Sequence, residues 1–230
     1  MKLTWLGHSG FRMEIGGEVL LIDPWFTGNP SAPEGARAEA IAGATHILLT
    51  HGHGDHAADT PAIASELGIG VVCIHELSEI LTSKYDIETT GMGKGGTVTL
   101  GDVAVTMVNA VHSSSLDFTG EVQYAGDPAG FMIAGEGHTI YVSGDTDIMA
   151  DMGWMGELHD PDIGILCCGG HYTMDMDRAA YAVKRWFNFK TIVPCHYKTF
   201  PLLAQSAAPL AAALPGVEVR VLEVMRPSTF

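Results

Sequence analysis

Apolar and polar positions alternate in short runs along most of this chain, and a glycine, aspartate or histidine closes many of them. Leu3–Leu6 and Phe11–Ile15 read as strands, and Gly16-Gly17 turns the chain into a third, Glu18–Asp23. Pro24 to Ala36 is a Pro- and Gly-containing loop, a candidate rim for a site and for its specificity. A buried strand through Ile47–Leu49 follows, then a helix over 60–67, a strand over 70–74, a helix over about 76–84 and a flexible turn at 91–96. Strands are predicted at 97–100, 103–108, 129–134 and 139–142, with turns at Gly101-Asp102 and Gly135-Glu136-Gly137. Beyond residue 147, helices (147–157, 175–187, 202–213) alternate with strands (162–167, 190–194, 217–224). Asp175, or Thr173 just before it, is the candidate cap of the 175–187 helix. A β-rich half with two helices, a second β-rich run and an α/β half follow one another without a linker or a repeat of solenoid length. That order predicts one domain over residues 1–230: a four-layer αββα sandwich, two packed sheets with helices outside.

Composition narrows the function classes. The chain has 230 residues, 47% apolar and 17% charged, enough for a buried core. A formal net charge of −15 disfavours nucleic acid and anionic membranes as partners, because phosphate backbones are held by Lys/Arg clusters. No apolar run approaches the ~18 residues of a membrane span. Met1 to His8 enters a strand without the apolar core and cleavage site of a secretory signal, so the expected location is cytoplasmic. The four cysteines, Cys73, Cys167, Cys168 and Cys195, sit in or beside apolar runs and match no zinc-finger spacing, as buried free thiols do.

The candidate chemistry lies in His51-Gly52-His53-Gly54-Asp55-His56. Four of its six residues can bind a metal, and imidazole with carboxylate suits a borderline divalent ion such as zinc. The glycines are expected to let the backbone fold tightly, with a helix opening at Ala57-Ala58-Asp59. One ion rarely takes four ligands from so short a loop. Two adjacent ions are therefore expected, His51 and His53 on one, Asp55 and His56 on the other. Three more strand ends carry a ligand type: His112, Asp145 and His196. As a set they complete the loop, with His112 on the first ion, His196 on the second and Asp145 between them. Two divalent ions against Asp55, Asp145 and one hydroxide leave a centre of about +1, suited to an anionic transition state.

Other residues carry open alternatives. His8 lines the pocket, donates to the substrate or is structural; Asp23 supports a ligand histidine or caps a turn. The position of His171 between a strand and a helix favours pocket lining. Lys198 and Thr199 contact a substrate anion or lie in a solvated loop. Phe118 and Tyr124 line the pocket or pack beneath it. His46, His75, His138 and His159 have no partner pattern.

The set His51-x-His53-x-Asp55-His56, His112, Asp145 and His196, with Asp23 ahead of it, resembles the metallo-β-lactamase superfamily. Trp5-Leu6-Gly7-His8-Ser9, Gly169-Gly170-His171-Tyr172-Thr173-Met174 and His196-Tyr197-Lys198-Thr199-Phe200-Pro201 look like its branch of short metal-dependent hydrolases related to L-ascorbate-6-phosphate lactonase. The resemblance implies the αββα sandwich and a dinuclear hydrolase centre holding two divalent ions, Zn2+ first, Mn2+ or Fe2+ as alternatives. Exported β-lactamases of this fold usually carry cysteine where Asp145 stands. The expected reaction is hydrolysis of an ester, lactone or phosphoester of a small molecule, including an anionic one, with Asp55 orienting the water and His8 or His171 contacting the substrate. A metal-dependent binding or sensing protein is the competing expectation, with two-iron redox chemistry a third. Members of the branch often associate, so a homo-oligomer is left open.

Overall fold

A computed structural model describes all 230 residues. The first sheet grows from β1 (Lys2–Gly7), β2 (Gly10–Ile15) and β3 (Glu18–Ile22), an antiparallel meander. Helix α1 (Ala36–Ile41) leads to β4 (His46–Leu48). Next come α2 (Gly54–Ala57), α3 (Thr60–Leu67), β5 (Gly70–Ile74), α4 (His75–Tyr85) and β6 (Thr89–Met92). From β3 to β6 the pairing is parallel. The second sheet begins with β7 (Thr97–Leu100) and β8 (Val103–Asn109). A short ribbon, β9 (Ser115–Leu116) with β10 (Gln123–Tyr124), precedes β11 (Ala129–Gly135) and β12 (His138–Val142). The chain then alternates through α5 (Met152–His159), β13 (Ile163–Cys167), α6 (Met176–Trp186), β14 (Thr191–Cys195), α7 (Ala208–Ala213) and β15 (Glu218–Val219). Finally β16 (Ser228–Thr229) returns to pair with β1.

The two seven-stranded sheets run β16-β1-β2-β3-β4-β5-β6 and β15-β14-β13-β12-β11-β8-β7. They are the paired sheets of an αββα sandwich, the predicted architecture. One cluster of 64 buried apolar residues runs through both. Burial follows pairing: β13 and β14 are buried at every position, as expected of parallel strands covered on both faces. Strand β8 instead alternates buried and half-buried residues until its end.

Several boundaries differ from the sequence reading. The stretch at 91–96 contributes Met92 to the edge strand β6, whose Gly91 packs closely under α4. α5 starts at Met152 rather than 147, because Asp147 is engaged by Arg178 and by the Val111 carbonyl. α7 starts only at Ala208, with Pro209 in its first turn, and β15 is two residues long. α1, β9, β10 and β16 have no counterpart in the reading. The cap of α6 is Asp175, which accepts from the Arg178 N–H at 2.8 Å.

Strand ends converge on one rim. Asp23 follows β3, the 51–56 segment follows β4, Asp145 follows β12 and His196 follows β14. In parallel sheets, the carboxyl ends of the strands are where ligand sites form. The sheets are joined there directly, since the His196 N–H donates to the His8 carbonyl at 3.0 Å.

Candidate metal centre

The 51–56 segment is partly helical. α2 begins at Gly54, three residues before the helix start expected at Ala57, so Asp55 and His56 lie in its first turn. Gly52 and Gly54 were expected to let the backbone fold tightly, yet neither adopts a positive φ. They are required by close approach. A Cβ on Gly52 would lie 2.9 Å from Ala125 Cβ and 3.1 Å from the Ser115 carbonyl; one on Gly54 would lie 3.0 Å from Asp117 Oδ1. The β9–β10 ribbon thus sits directly on the ligand segment, and Gly54 N–H donates to Asp117 Oδ1 at 2.8 Å.

Strain gathers at the same place. His8, Asp23 and His196 have φ of 52°, 45° and 55°, in the left-handed region that costs a side-chain-bearing residue energy. Each follows a strand and turns its side chain into the space between the sheets. Gly144, at φ 58°, gives Asp145 the same sharp exit from β12.

Asp145 is the hub. Its Oδ2 lies 3.0 Å from His196 Nε2, 3.4 Å from His56 Nε2, 3.7 Å from His112 Nε2 and 4.0 Å from His51 Nε2. Its side chain is 3% exposed, so this charge has left water and needs a cation. His51 Nε2 also meets His53 Nδ1 at 3.0 Å. Ligand-capable atoms fall into three groups, each within 4.8 Å: His51, His53 and His112; His8, Asp55, His56 and His196; and Asp23, His51 and His56.

Hydrogen bonds assign the tautomers of two of these histidines. Asp23 is buried and accepts from the Thr50 N–H at 2.8 Å, the Thr50 hydroxyl at 2.6 Å and His56 Nδ1 at 2.8 Å. Thr50 spends its proton on Asp23, so its oxygen accepts from His51 Nδ1 at 3.0 Å. With Nδ1 protonated in both rings, Nε2 of His51, and of His56 once its second proton is displaced, offers a lone pair toward Asp145. His56 Nε2 is buried and makes no hydrogen bond, and neither does Asp145 Oδ1. Buried lone pairs aimed at one another, with carboxylate between them, fit a metal cation and little else.

Ionisation follows the same logic. Burial disfavours the charged form of His56, but Asp145, Asp55 and Asp23 outweigh it and raise the imidazole well above its usual value. Burial lowers His51 well below the usual range, with the His56 charge adding to the effect. Asp55 is raised by burial, yet His56 and His8 hold it well below ordinary carboxylates. Without an ion the cluster therefore keeps a proton on His56, which a metal would displace.

The remaining expectations divide. Asp23 hydrogen-bonds His56, one of the histidines expected as ligands, rather than only capping a turn. His8 does not line the cavity: it is 0% exposed, with Nε2 3.0 Å from Asp55 Oδ2 and Nδ1 2.8 Å from Thr199 Oγ1. Burial lowers its pKa to about 4, so it is a neutral donor to Asp55 and is shielded from any substrate. His171 is exposed and turned aside at φ 60°; its neighbour Tyr172 faces the cavity instead. Lys198 lies over the Tyr197 ring, 5.5 Å from its centroid, away from the cavity. Phe118 is half-buried beside Gly54, and Tyr124 is exposed, its hydroxyl donating to Asp127. The cysteines are all buried and free.

The cavity above Asp145 measures about 510 Å³. Asp55, His53, His112 and His196 form its floor; Trp25, Tyr172 and Phe200 its walls; Ser113 and Asp117 its rim. No spacing signal marks the three aromatic walls, which come from separate loops, although Trp25 lies in the 24–36 loop expected at the rim. Asp59 offered one, an aspartate closing the ligand segment. It accepts from the Phe26 and Thr27 N–H groups (2.6 and 2.8 Å) and the Thr27 hydroxyl (2.6 Å), fixing the loop that carries Trp25.

Comparison with known proteins agrees with this geometry. The family described as Beta-lactamase superfamily domain matches residues 19–197. The chain is 66% identical over 227 residues to a UPF0173 metal-dependent hydrolase of Paracoccus denitrificans, covering 99% of each chain. It is 63% identical over 225 residues to one of Dinoroseobacter shibae, covering 98% of each. Among solved structures it is similar to Igni18, a metallo hydrolase of the archaeon Ignicoccus hospitalis. Their TM-score is 0.86 at 33% identity, over 100% of this chain and 97% of that one. No helix is long and apolar enough to cross a membrane.

Proposed function

The chain belongs to the metallo-β-lactamase superfamily and is a metal-dependent hydrolase, and we propose that it uses a two-ion centre to cleave an ester, lactone or phosphoester of a small molecule. His51, His53 and His112 would hold one ion, Asp55, His56 and His196 the other, with Asp145 between them. Zn2+ suits this N/O donor set best; Mn2+ and Fe2+ suit it next. The observation that carries the reading is the position of Asp145 Oδ2, 3.0 to 4.0 Å from the Nε2 atoms of four histidines.

When bound, the ions supply a Lewis acid and bring the pKa of water toward ~7. The chain does the rest. Asp55, 31% exposed at the cavity floor, accepts a hydrogen bond from the attacking water and aims its lone pair at the carbonyl carbon or phosphorus. His8 holds Asp55 in that orientation through Oδ2. A bond forms from the water oxygen to the reacting atom, the bond to the leaving oxygen breaks, and the water's proton ends on that oxygen. Trp25, Tyr172 and Phe200 place apolar surface beside the scissile group.

The test is a screen of esters, lactones, thioesters and phosphodiesters with the metal-loaded protein, repeated after chelation and after reloading with Zn2+, Mn2+ or Fe2+. Turnover should vanish on chelation and return on reloading. Full activity in a sample verified to be metal-free would overturn the proposal.

A further inference from the structure

Helices α5 and α6 feed the parallel strands β13 and β14, so they run side by side in the same direction. Glycine lets them approach closely. A Cβ on Gly156 would meet the Trp186 carbonyl, and one on Gly153 would lie 3.3 Å from Trp186 Cδ1. The two helices therefore form one face, with a groove of about 450 Å³ between their carboxyl ends. Solvent meets apolar surface there. Trp154 is 45% exposed, Leu158 71% and Tyr181 54%, and the Tyr181 and Trp186 rings meet edge to face at 5.9 Å. Trp154 and Leu158 stand one turn apart on α5 and form a single patch. Aromatic rings with a polar tip are enriched in the cores of protein interfaces.

Charge supplies a second, independent observation. α5 brings Glu157 and Asp160 to one side of the groove, and α6 brings Lys184 and Arg185 to the other. None of these four makes an ion pair within the chain, whereas the nearby Arg178 and Lys190 are paired with Asp147 and Asp162. Two copies of a chain with net charge −15 repel one another across most pairings of their surfaces. This face is locally balanced, and the balance has a symmetry. Rotation by a half-turn about an axis along the groove sets the acidic α5 end of each copy opposite the basic α6 end of the other. The same rotation lays Trp154 and Leu158 toward Tyr181 of the second copy. A patch that complements itself in this way suits an isologous two-fold contact, in which each contact occurs twice; an unrelated partner has no need of it.

We infer that two copies of this chain join through the α5–α6 face as a two-fold dimer, with Glu157 of each copy facing Arg185 of the other and the exposed Trp154, Leu158 and Tyr181 side chains buried between them.

Sedimentation velocity on the full chain at micromolar concentration should show a species of twice the 24.4 kDa chain mass. Leu158→Asp puts a charge at the centre of the patch and should raise the dimer dissociation constant at least ~10-fold. Glu157→Arg and Arg185→Glu each set like charges against one another at both contacts, and each alone should weaken self-association several-fold. Mixed in equal amounts, these two variants should associate again, because in the mixed pair both contacts between positions 157 and 185 join opposite charges. Effects within one chain cannot produce that rescue, since each variant keeps like charges across its own groove. All of these positions are exposed, and circular dichroism confirms that the variants are folded. A parent protein that stays monomeric at high micromolar concentration overturns the inference, whatever else covers the face. So does a dimer indifferent to Leu158→Asp, or a mixture that associates no better than its two components.

Discussion

The Oδ2 atom of Asp23 lies 2.8 Å from Nδ1 of His56, and both groups are buried. The contact fixes which His56 nitrogen faces Asp145. It also links to His51, because the Thr50 hydroxyl bonds Asp23 on one side and His51 Nδ1 on the other. One carboxylate thus sets two imidazoles, assigned to different ions in the proposal above. Outer partners of this kind typically change metal affinity 10- to 100-fold. Asp23→Asn should weaken metal binding by about that much at both positions, measured by competition with a chromophoric chelator, while the protein remains folded by circular dichroism.

The His8 side chain hydrogen-bonds Asp55 alone among the candidate ligands, and it is sealed from the cavity. His8→Gln keeps a donor but shifts its reach, so Asp55 should lose its fixed orientation. Steady-state kinetics should then show kcat reduced about 10-fold or more with KM nearly unchanged, the pattern of a lost transition-state interaction rather than lost substrate binding. Thr199→Ala removes the group at His8 Nδ1 and should give a smaller loss of the same kind. A rise in KM with kcat intact would place His8 in substrate binding after all.

The strand-end His and Asp residues of the candidate centre were legible because each ends an apolar run, and a strand end is where an αββα sandwich gathers side chains. His51, His53, Asp55, His56, His112, Asp145 and His196 all meet within one cavity and its floor. What the runs could not convey is orientation. The positive φ at His8 turns its ring inward beneath Asp55, whereas His171, with a similar φ, is turned out to solvent. Trp25, Tyr172 and Phe200 carry no spacing signal, since loops brought together in space leave no period in sequence. Edge strands failed for related reasons: β16 gains its pairing from β1 at the other end of the chain, and in β6 a glycine, Gly91, weakens the local pattern.

Gly52 tests whether the ribbon over the ligand segment matters to the centre. A methyl group there would meet Ala125 Cβ at 2.9 Å and the Ser115 backbone, neither of which can swing aside as a flexible side chain could. Gly52→Ala should therefore lift the β9–β10 ribbon, displacing Asp117 and Ser113 from the rim. The expected result is faster amide exchange at 113–125 and weaker metal binding, with a stability loss of about 1–3 kcal/mol from overpacking in chemical denaturation.

Asp162 provides a pH test away from the metal site. Burial alone would raise its carboxyl, but the His138 ring at 2.9 Å, the Thr139 N–H at 3.0 Å and Lys190 lower it below the usual value. A carboxylate depressed in the folded state stabilises the fold above its unfolded pKa, ~3.9, and loses that contribution as pH falls through its folded value. Asp162→Asn should therefore lower Tm at pH 7, and the difference from the parent should shrink once pH drops below about 4. Metal-free proteins must be compared, so that acid loss of metal does not shift both curves. The bond to Thr139 N–H ties the start of β12 to the loop before β13, so amide exchange at 138–142 should rise in the variant at neutral pH. A Tm gap that stays constant from pH 7 to pH 3 would show that Asp162 acts by shape and hydrogen bonding rather than by its charge.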